Sequence, residues 1–201
     1  MSQQSDSLLI EQVRDGDTAA LGQLLELHQN RLFSIALRMV SNRDDAAEVT
    51  QDAMLKIIQH IDTFRNEAQI TTWMTRIVMN QAITRLRRRK LRDHASLDTT
   101  RTTHPDGEQT GTLRKVLEDH RELEPSQRVQ DGEMIDQLLN AIDRLDTDFR
   151  AVLVLRDLEE MDYQQIAETL QIKVGTVKSR LFRARLALRQ EMQKTAPAPT
   201  N

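Results

Sequence analysis

In the stretch VGTVKSRLFRAR, residues 174 to 185, every charged side chain is positive. Lys178, Arg180, Arg183 and Arg185 can neutralise phosphates, and Thr176, Lys178 and Ser179 stand where base edges would come within reach if the segment is a helix laid in a groove. The unpaired N–H groups at the start of such a helix would themselves suit a phosphate. A second basic run, RLRRRKLR at 85 to 92, holds six basic residues in eight. This is the chemistry of recognition, not of bond-making.

The rest of the chain offers no competing reactive site. No paired carboxylates, nucleophile constellation or phosphate loop is present in the sequence, so neither an enzyme nor a small-molecule substrate is expected. Cysteine is absent, which excludes disulfides, thiolate chemistry and Cys-ligated zinc. His28, His60, His94, His104 and His120 lack metal-ligand spacing, so no metal and no cofactor are expected. No apolar stretch approaches the length of a membrane span and no signal-peptide pattern opens the chain, so it reads as a cytoplasmic protein that does not insert in membranes.

Net charge is −3, modest for a nucleic-acid binder, but its distribution is uneven. Residues 173 to 189 carry six bases and no acid, while acids gather in DDAAE (44 to 48) and RDLEEMD (156 to 162).

The elements that must carry these charges are helical. Aromatics make up 3% of the 201 residues, glycines number six, and apolar residues recur at three and four. The expected fold class is all-α, as two small helical domains joined by a flexible linker. The first spans 1 to 91. A polar stretch at 92 to 130, with Pro105, Pro125, Gly107 and Gly111, is the linker; a second domain covers 131 to 194 and a disordered tail 195 to 201.

In the first domain Leu21, Leu24, Leu25, His28, Leu32, Ile35, Ala36 and Met39 form one stripe on a long helix, with Asp17 as its N-cap. A second helix is expected from about Asp45, with Glu48 in a capping box, and a third carries Trp73, Ile77 and Ile83 into the basic run. In the second domain a stripe of Ile135, Leu138, Leu139, Ile142 and Leu145 precedes a helix with Phe149, Val152 and Leu153. Asp162 and Gln165 can form a capping box on YQQIAETL, QIKVG breaks that helix, and the next buries Val177, Leu181, Ala184 and Leu188. Two helices with a tight turn, the second basic, match a helix-turn-helix. A solvated face or a protein-docking surface has the same composition, but turn, cap and charge together favour DNA.

The segment LDTDFRAVLVLRDLEEMDYQQIAETLQIKVGTVKSRLFRARLALR resembles region 4 of bacterial RNA polymerase sigma factors of the extracytoplasmic function group. Related helix-turn-helix regulators share part of that signature. The segment DDAAEVTQDAMLKIIQHIDTFRNEAQITTWMTRIVMNQAITRLRRRK, however, resembles sigma region 2, which a stand-alone regulator with a dimerisation or sensing domain would lack.

The resemblance implies a protein that binds core RNA polymerase and directs it to a two-part promoter, with region 4 on the minus-35 element and region 2 opening the minus-10 element. It points to Asp45, Glu48, Gln51, Asp52 and Leu55 as the face that docks on the polymerase β′ coiled coil, with the β flap as a second polymerase contact for region 4. A solvated face with capping acids would hold the same carboxylates.

In region 2 the loop from Phe64 to Thr72 would capture an unstacked base, with Phe64 walling the pocket and Asn80 bonding the base edge. Arg65, Asn66, Arg76, Arg85 and Arg88 complete the minus-10 set, and Trp73 packs in the core. In region 4 Thr176, Lys178, Ser179, Phe182 and Arg183 would lie near bases or the groove wall, with Arg180 and Arg185 on phosphate. The acidic stretch with Glu118, Asp119, Glu122 and Glu124 suits a linker threaded through the polymerase. An anti-sigma factor is an expected partner.

Four positions depart from the family pattern: Asn66 replaces a frequent Gly, Ile70 a frequent Phe, Thr84 a common Asp and Asp146 a usual Pro. The first two bear on which base the loop prefers.

Overall fold

A computed structural model describes residues 2–65, 69–96, 137–138 and 140–195. Among these all regular structure is helical, the expected class.

Helix α1 (Ser2–Arg14) ends at Gly16, whose φ of 90° is a backbone conformation natural to glycine. Asp17 then caps α2 (Thr18–Val40), its carboxylate accepting from the Ala19 and Ala20 N–H groups at 2.8 and 3.2 Å. Leu24, Leu32, Ile35, Ala36 and Met39 are buried along the predicted stripe. His28 shares that stripe because it meets Asp6 of α1 at 3.0 Å, which satisfies both polar groups inside the packing.

Helix α3 (Arg43–His60) starts earlier than Asp45. Its cap is Asn42, whose amide oxygen accepts from the Asp45 N–H at 2.9 Å. No capping box with Glu48 forms: Asn42 in extended conformation already satisfies the N–H three residues on, and Glu48 is drawn to Arg85 across the bundle. After a 3-10 turn at Ile61–Thr63 comes α4 (Ile70–Ser96), uninterrupted by proline or glycine and so running past the expected boundary at 91. Met74, Val78, Met79 and Ala82 of α4 close a three-helix core on α2 and α3.

The second half begins in the described residues with a helical segment ending at 143; Ile135, Leu139 and linker positions 97 to 130 lie outside them. Asp146 caps α5 (Thr147–Leu153) by accepting from the Asp148 N–H at 3.1 Å. α5 widens into a π-helical turn, Val154–Leu158.

Helix α6 (Tyr163–Leu170) has the predicted capping box, with Asp162 accepting from the Gln165 N–H at 2.8 Å and the Gln165 side chain accepting from the Asp162 N–H at 2.9 Å. Gln171, left-handed at φ 55°, ends it, and α7 (Val174–Thr195) follows. Val177, Leu181 and Ala184 are buried and Leu188 is partly so.

The halves are packed together. α4 lies against α5 and α6, and α2 against α5 and the π turn.

Asp162→Ala should lower unfolding stability by about 1 kcal/mol in urea denaturation followed by circular dichroism, while Asp162→Asn, which keeps an acceptor, should cost less than half as much.

Candidate nucleic-acid and polymerase interface

The buried stripe of α7 decides which of its side chains look outward. With Val177, Leu181 and Ala184 inward, Lys178, Ser179, Phe182 and Arg183 share the opposite, exposed face, and Phe182 is 72% exposed. An aromatic ring held out among cations is costly in water and suits a surface that is covered on binding. Lys178 Nζ lies 5.8 Å from the Tyr163 ring centroid, a contact that steers it along the α6 side of the face. Ser179 Oγ donates to the Thr176 carbonyl at 3.0 Å.

The two arginines that flank this face are held differently. Arg180 meets Asp148 at 2.9 Å and Arg185 meets Asp157 at 2.6 Å. The side-chain hydrogen bond to Asp157 raises the Arg185 guanidinium above its usual range. Both would have to exchange a carboxylate for a phosphate, and both acceptors offer the same planar pair of oxygens.

On the first half, Arg76, Asn80 and Thr84 recur at four-residue intervals on α4 and Arg88 continues the row. Asn80 and Arg88 are exposed and Arg76 is half-buried. Thr84 Oγ1 donates to the Asn80 carbonyl at 2.7 Å, so the residue that replaces a common Asp bonds within its own helix.

Arg65 is exposed, and Asn66 lies outside the described residues. Phe64 is 6% exposed and stands 5.5 Å from the Trp73 ring, its face turned into the core. It anchors the start of the loop on the core. Trp73 packs against the core as expected, though partly exposed. Sequence reasoning missed Arg14, whose Nη2 donates to the Phe64 carbonyl at 3.1 Å and ties α1 to the start of the loop.

On α3, Glu48, Gln51, Asp52 and Leu55 are exposed, with Leu55 51% exposed. Ile58, 45% exposed and three residues beyond Leu55, belongs to the same face. It falls off the buried period of Ala46, Val49, Ala53 and Ile57, a signal the sequence contained. Asp45 turns toward α4: Arg85 Nη2 lies 2.5 Å from its Oδ1 and Arg85 Nη1 lies 2.6 Å from Glu48. The hydrogen bond to Asp45 raises the Arg85 guanidinium above its usual range. Asp45, Glu48 and Arg85 are thus one charged cluster between α3 and α4.

Among the described residues no group of His, Asp or Glu could hold a metal ion, and no helix is long and apolar enough to cross a membrane. A two-part helical protein with a cationic helix-turn-helix and a separate basic helix end has the architecture of a promoter-recognition protein.

Comparison with known proteins agrees. Residues 24–92 match the family model for sigma-70 region 2, and residues 135–188 match that for sigma-70 region 4. The chain is 31% identical over 197 residues to the RNA polymerase sigma-H factor of Pseudomonas aeruginosa, covering 96% of each. It is 31% identical over 194 residues to the ECF RNA polymerase sigma-E factor of Escherichia coli, covering 96% of this chain and 97% of that one. ECF sigma factor SigW of Bacillus subtilis is 29% identical over 189 residues, with coverage of 92% and 95%.

In fold it is similar to the sigma factor RpoE solved with the anti-sigma factor NepR from Bartonella quintana, at TM-score 0.61 and 23% identity over 88% of this chain and 98% of that one. CnrH in complex with the cytosolic domain of CnrY is similar at TM-score 0.61 and 21% identity, over 96% and 99%. The chain belongs to the sigma-70 family of RNA polymerase sigma factors, in its extracytoplasmic function group. Residues 24–92 form its region 2 half and residues 135–188 its region 4 half.

A double-mutant cycle on Arg85→Ala and Asp45→Ala should give a coupling free energy of about 1 kcal/mol in chemical denaturation. Additive losses would mean the pair contributes nothing beyond its separate side chains.

Proposed function

We propose that α7 reads duplex minus-35 DNA through Thr176, Lys178, Ser179, Phe182 and Arg183, with Arg180 and Arg185 on flanking phosphates. The observation that carries this is the outward face of α7, which joins exposed cations to an exposed ring while its opposite face is packed on its own domain. On the region 2 half, Arg65, Asn66, Arg76, Asn80, Arg85 and Arg88 engage and open the minus-10 segment, the loop after Phe64 holding a flipped base. Extraction of a base costs a few kcal/mol, which stacking and edge hydrogen bonds offset.

Asp45, Glu48, Gln51, Asp52 and Leu55, extended by Ile58, dock on the β′ coiled coil of core polymerase, and the region 4 half contacts the β flap. Exposed Leu55 and Ile58 supply an apolar centre and the acids a polar rim, the usual anatomy of a specific interface. The protein acts in the cytoplasm and has no catalytic residues of its own. Control by an anti-sigma factor is supported by solved sigma factors of the same fold, RpoE and CnrH, each recorded with an inhibitor or partner domain bound.

The test is in vitro transcription with purified core polymerase on genomic fragments. Promoter-specific initiation that needs both proteins is expected. Tight promoter binding by the chain alone, without polymerase-dependent initiation, would instead identify a stand-alone regulator.

Lys178→Ala combined with Arg183→Ala should reduce initiation from minus-35-dependent promoters by on the order of tenfold or more, lower the salt slope of DNA binding by about 2, and leave polymerase binding intact. Competition for core polymerase against the unmodified chain checks the last point.

A further inference from the structure

One side chain from outside the matched region 2 segment grips the strand of backbone that leads into its loop. Arg14 stands in the last turn of α1, before the region 2 match begins at residue 24. Its Nη2 donates to the Phe64 carbonyl at 3.1 Å, fifty positions away in sequence. A cation in the last turn of a helix is favoured by the free carbonyls of that helix. The partner here belongs to another element, so capping of α1 does not account for the contact.

Helix α1 is a fixed base for this reach. Asp6 Oδ1 and His28 Nε2 of α2 meet at 3.0 Å with both residues buried, and Ile10 is buried in the core. The chain then leaves α1 through Gly16 at φ 90° and passes directly into the Asp17 cap of α2. These contacts hold the helix at its start, middle and end. Arg14 itself is exposed, so it adds little to the packing that secures α1, and its guanidinium extends from a backbone already in place.

At Phe64 the grip has a directional consequence. The ring is buried beside Trp73, the N–H donates to the Ile61 carbonyl at 3.0 Å, and the carbonyl accepts from Arg14. The peptide unit from the Phe64 carbonyl to the Arg65 nitrogen is planar, so fixing the carbonyl also fixes where the Arg65 N–H points. Without Arg14, the ring and N–H of Phe64 stay anchored, but rotation about its ψ, now 114°, is released. Arg65, exposed and next in the chain, would swing with that peptide plane. A hydrogen bond from a charged donor is about twice as strong as a neutral one, which suits a single point of control.

We infer that Arg14 is a positioning residue for minus-10 engagement: by gripping the Phe64 carbonyl it aims Arg65 at the DNA, which brings α1 into the promoter-opening unit. This deepens the promoter reading above and rests on it. Arg14 acts through Arg65 and not by touching DNA. A direct phosphate contact by the same exposed cation is the rival, and the two are separable.

In the free chain, nitrogen-15 relaxation should give the Arg65 amide an order parameter of about 0.85, falling below about 0.6 in Arg14→Ala, with circular dichroism unchanged. With core polymerase present, permanganate reactivity of minus-10 thymines should develop about tenfold more slowly in Arg14→Ala, roughly the factor for one hydrogen bond to a charged group. Arg14→Lys, which keeps a charged donor, should recover most of that rate. Competition for core polymerase should be unchanged, which separates a local effect from a general loss of folding.

Because Arg14 acts through Arg65, adding Arg14→Ala to Arg65→Ala should change neither the opening rate nor the salt slope of promoter binding by the polymerase complex. A phosphate contact made by Arg14 itself would lower that slope by about 1 more. That further fall, an Arg65 amide equally ordered in both chains, or an Arg14→Ala opening rate equal to the unmodified one would each overturn the inference and leave the promoter reading standing. Absence of opening by the unmodified chain would overturn both.

Discussion

The pairing of guanidinium with carboxylate inside the chain is the interaction on which this structure turns. Arg85 is held by Asp45 and Glu48, Arg180 by Asp148, Arg185 by Asp157, and Arg31 with Arg38 by Glu159. A guanidinium fork fits a carboxylate as it fits a phosphate, so each of these arginines is already occupied within the chain. This reconciles a net charge of −3 with two dense basic segments. The bases are concentrated where DNA would lie, and the acids stand close enough to occupy them in its absence. Nonspecific affinity from counterion release is damped accordingly.

Much of this was legible in the sequence because helices obey local rules. The caps at Asp17 and Asp162 follow from residue type and spacing, and the outward face of α7 follows from Val177, Leu181 and Ala184 once their period is recognised. The burial of Phe64 is not legible in the sequence, for an instructive reason. Its position at the loop entrance is shared by residues that face a base and residues that hold the loop down, and the choice between them is made by Trp73, nine positions on and reachable after α4 has folded back. The pairing of Asp45 and Glu48 with Arg85 is not legible locally, because Arg85 is separated from them by a whole helix-to-helix connection. The burial of Glu159 between Arg31 and Arg38 was not legible: its acidic neighbourhood reads as solvent-exposed, and nothing local announces a π turn.

Left-handed or widened backbone recurs at three joints. Ser41 at φ 56° ends α2 and carries the hydroxyl that meets Asp143, Glu160 at φ 55° follows the carboxylate that pairs with Arg31 and Arg38, and Gln171 at φ 55° makes the turn of the helix-turn-helix. None is glycine, so each is less favoured by about 1–2 kcal/mol than a right-handed residue would be. At Ser41 and Glu160 the neighbouring contacts cross between the halves. At Gln171 the N–H returns to the Ala167 carbonyl, and the contact is local. The reading head is therefore fixed within its own domain, while the other two joints are stabilised by the domain opposite.

The loop that precedes α4 is governed by a similar division. Phe64 and Ile70 are both buried, so the chain between them starts and ends on fixed core positions. Arg14 adds a third constraint by gripping the Phe64 carbonyl from α1, a helix that lies before the matched region 2 segment beginning at residue 24. Any base held there must be met by residues between two anchored points, and the entrance angle is set from outside the segment that defines the family. Ile70, 4% exposed, serves as the second anchor, so an aliphatic side chain fixes the far end of the loop on the core as an aromatic one fixes its start.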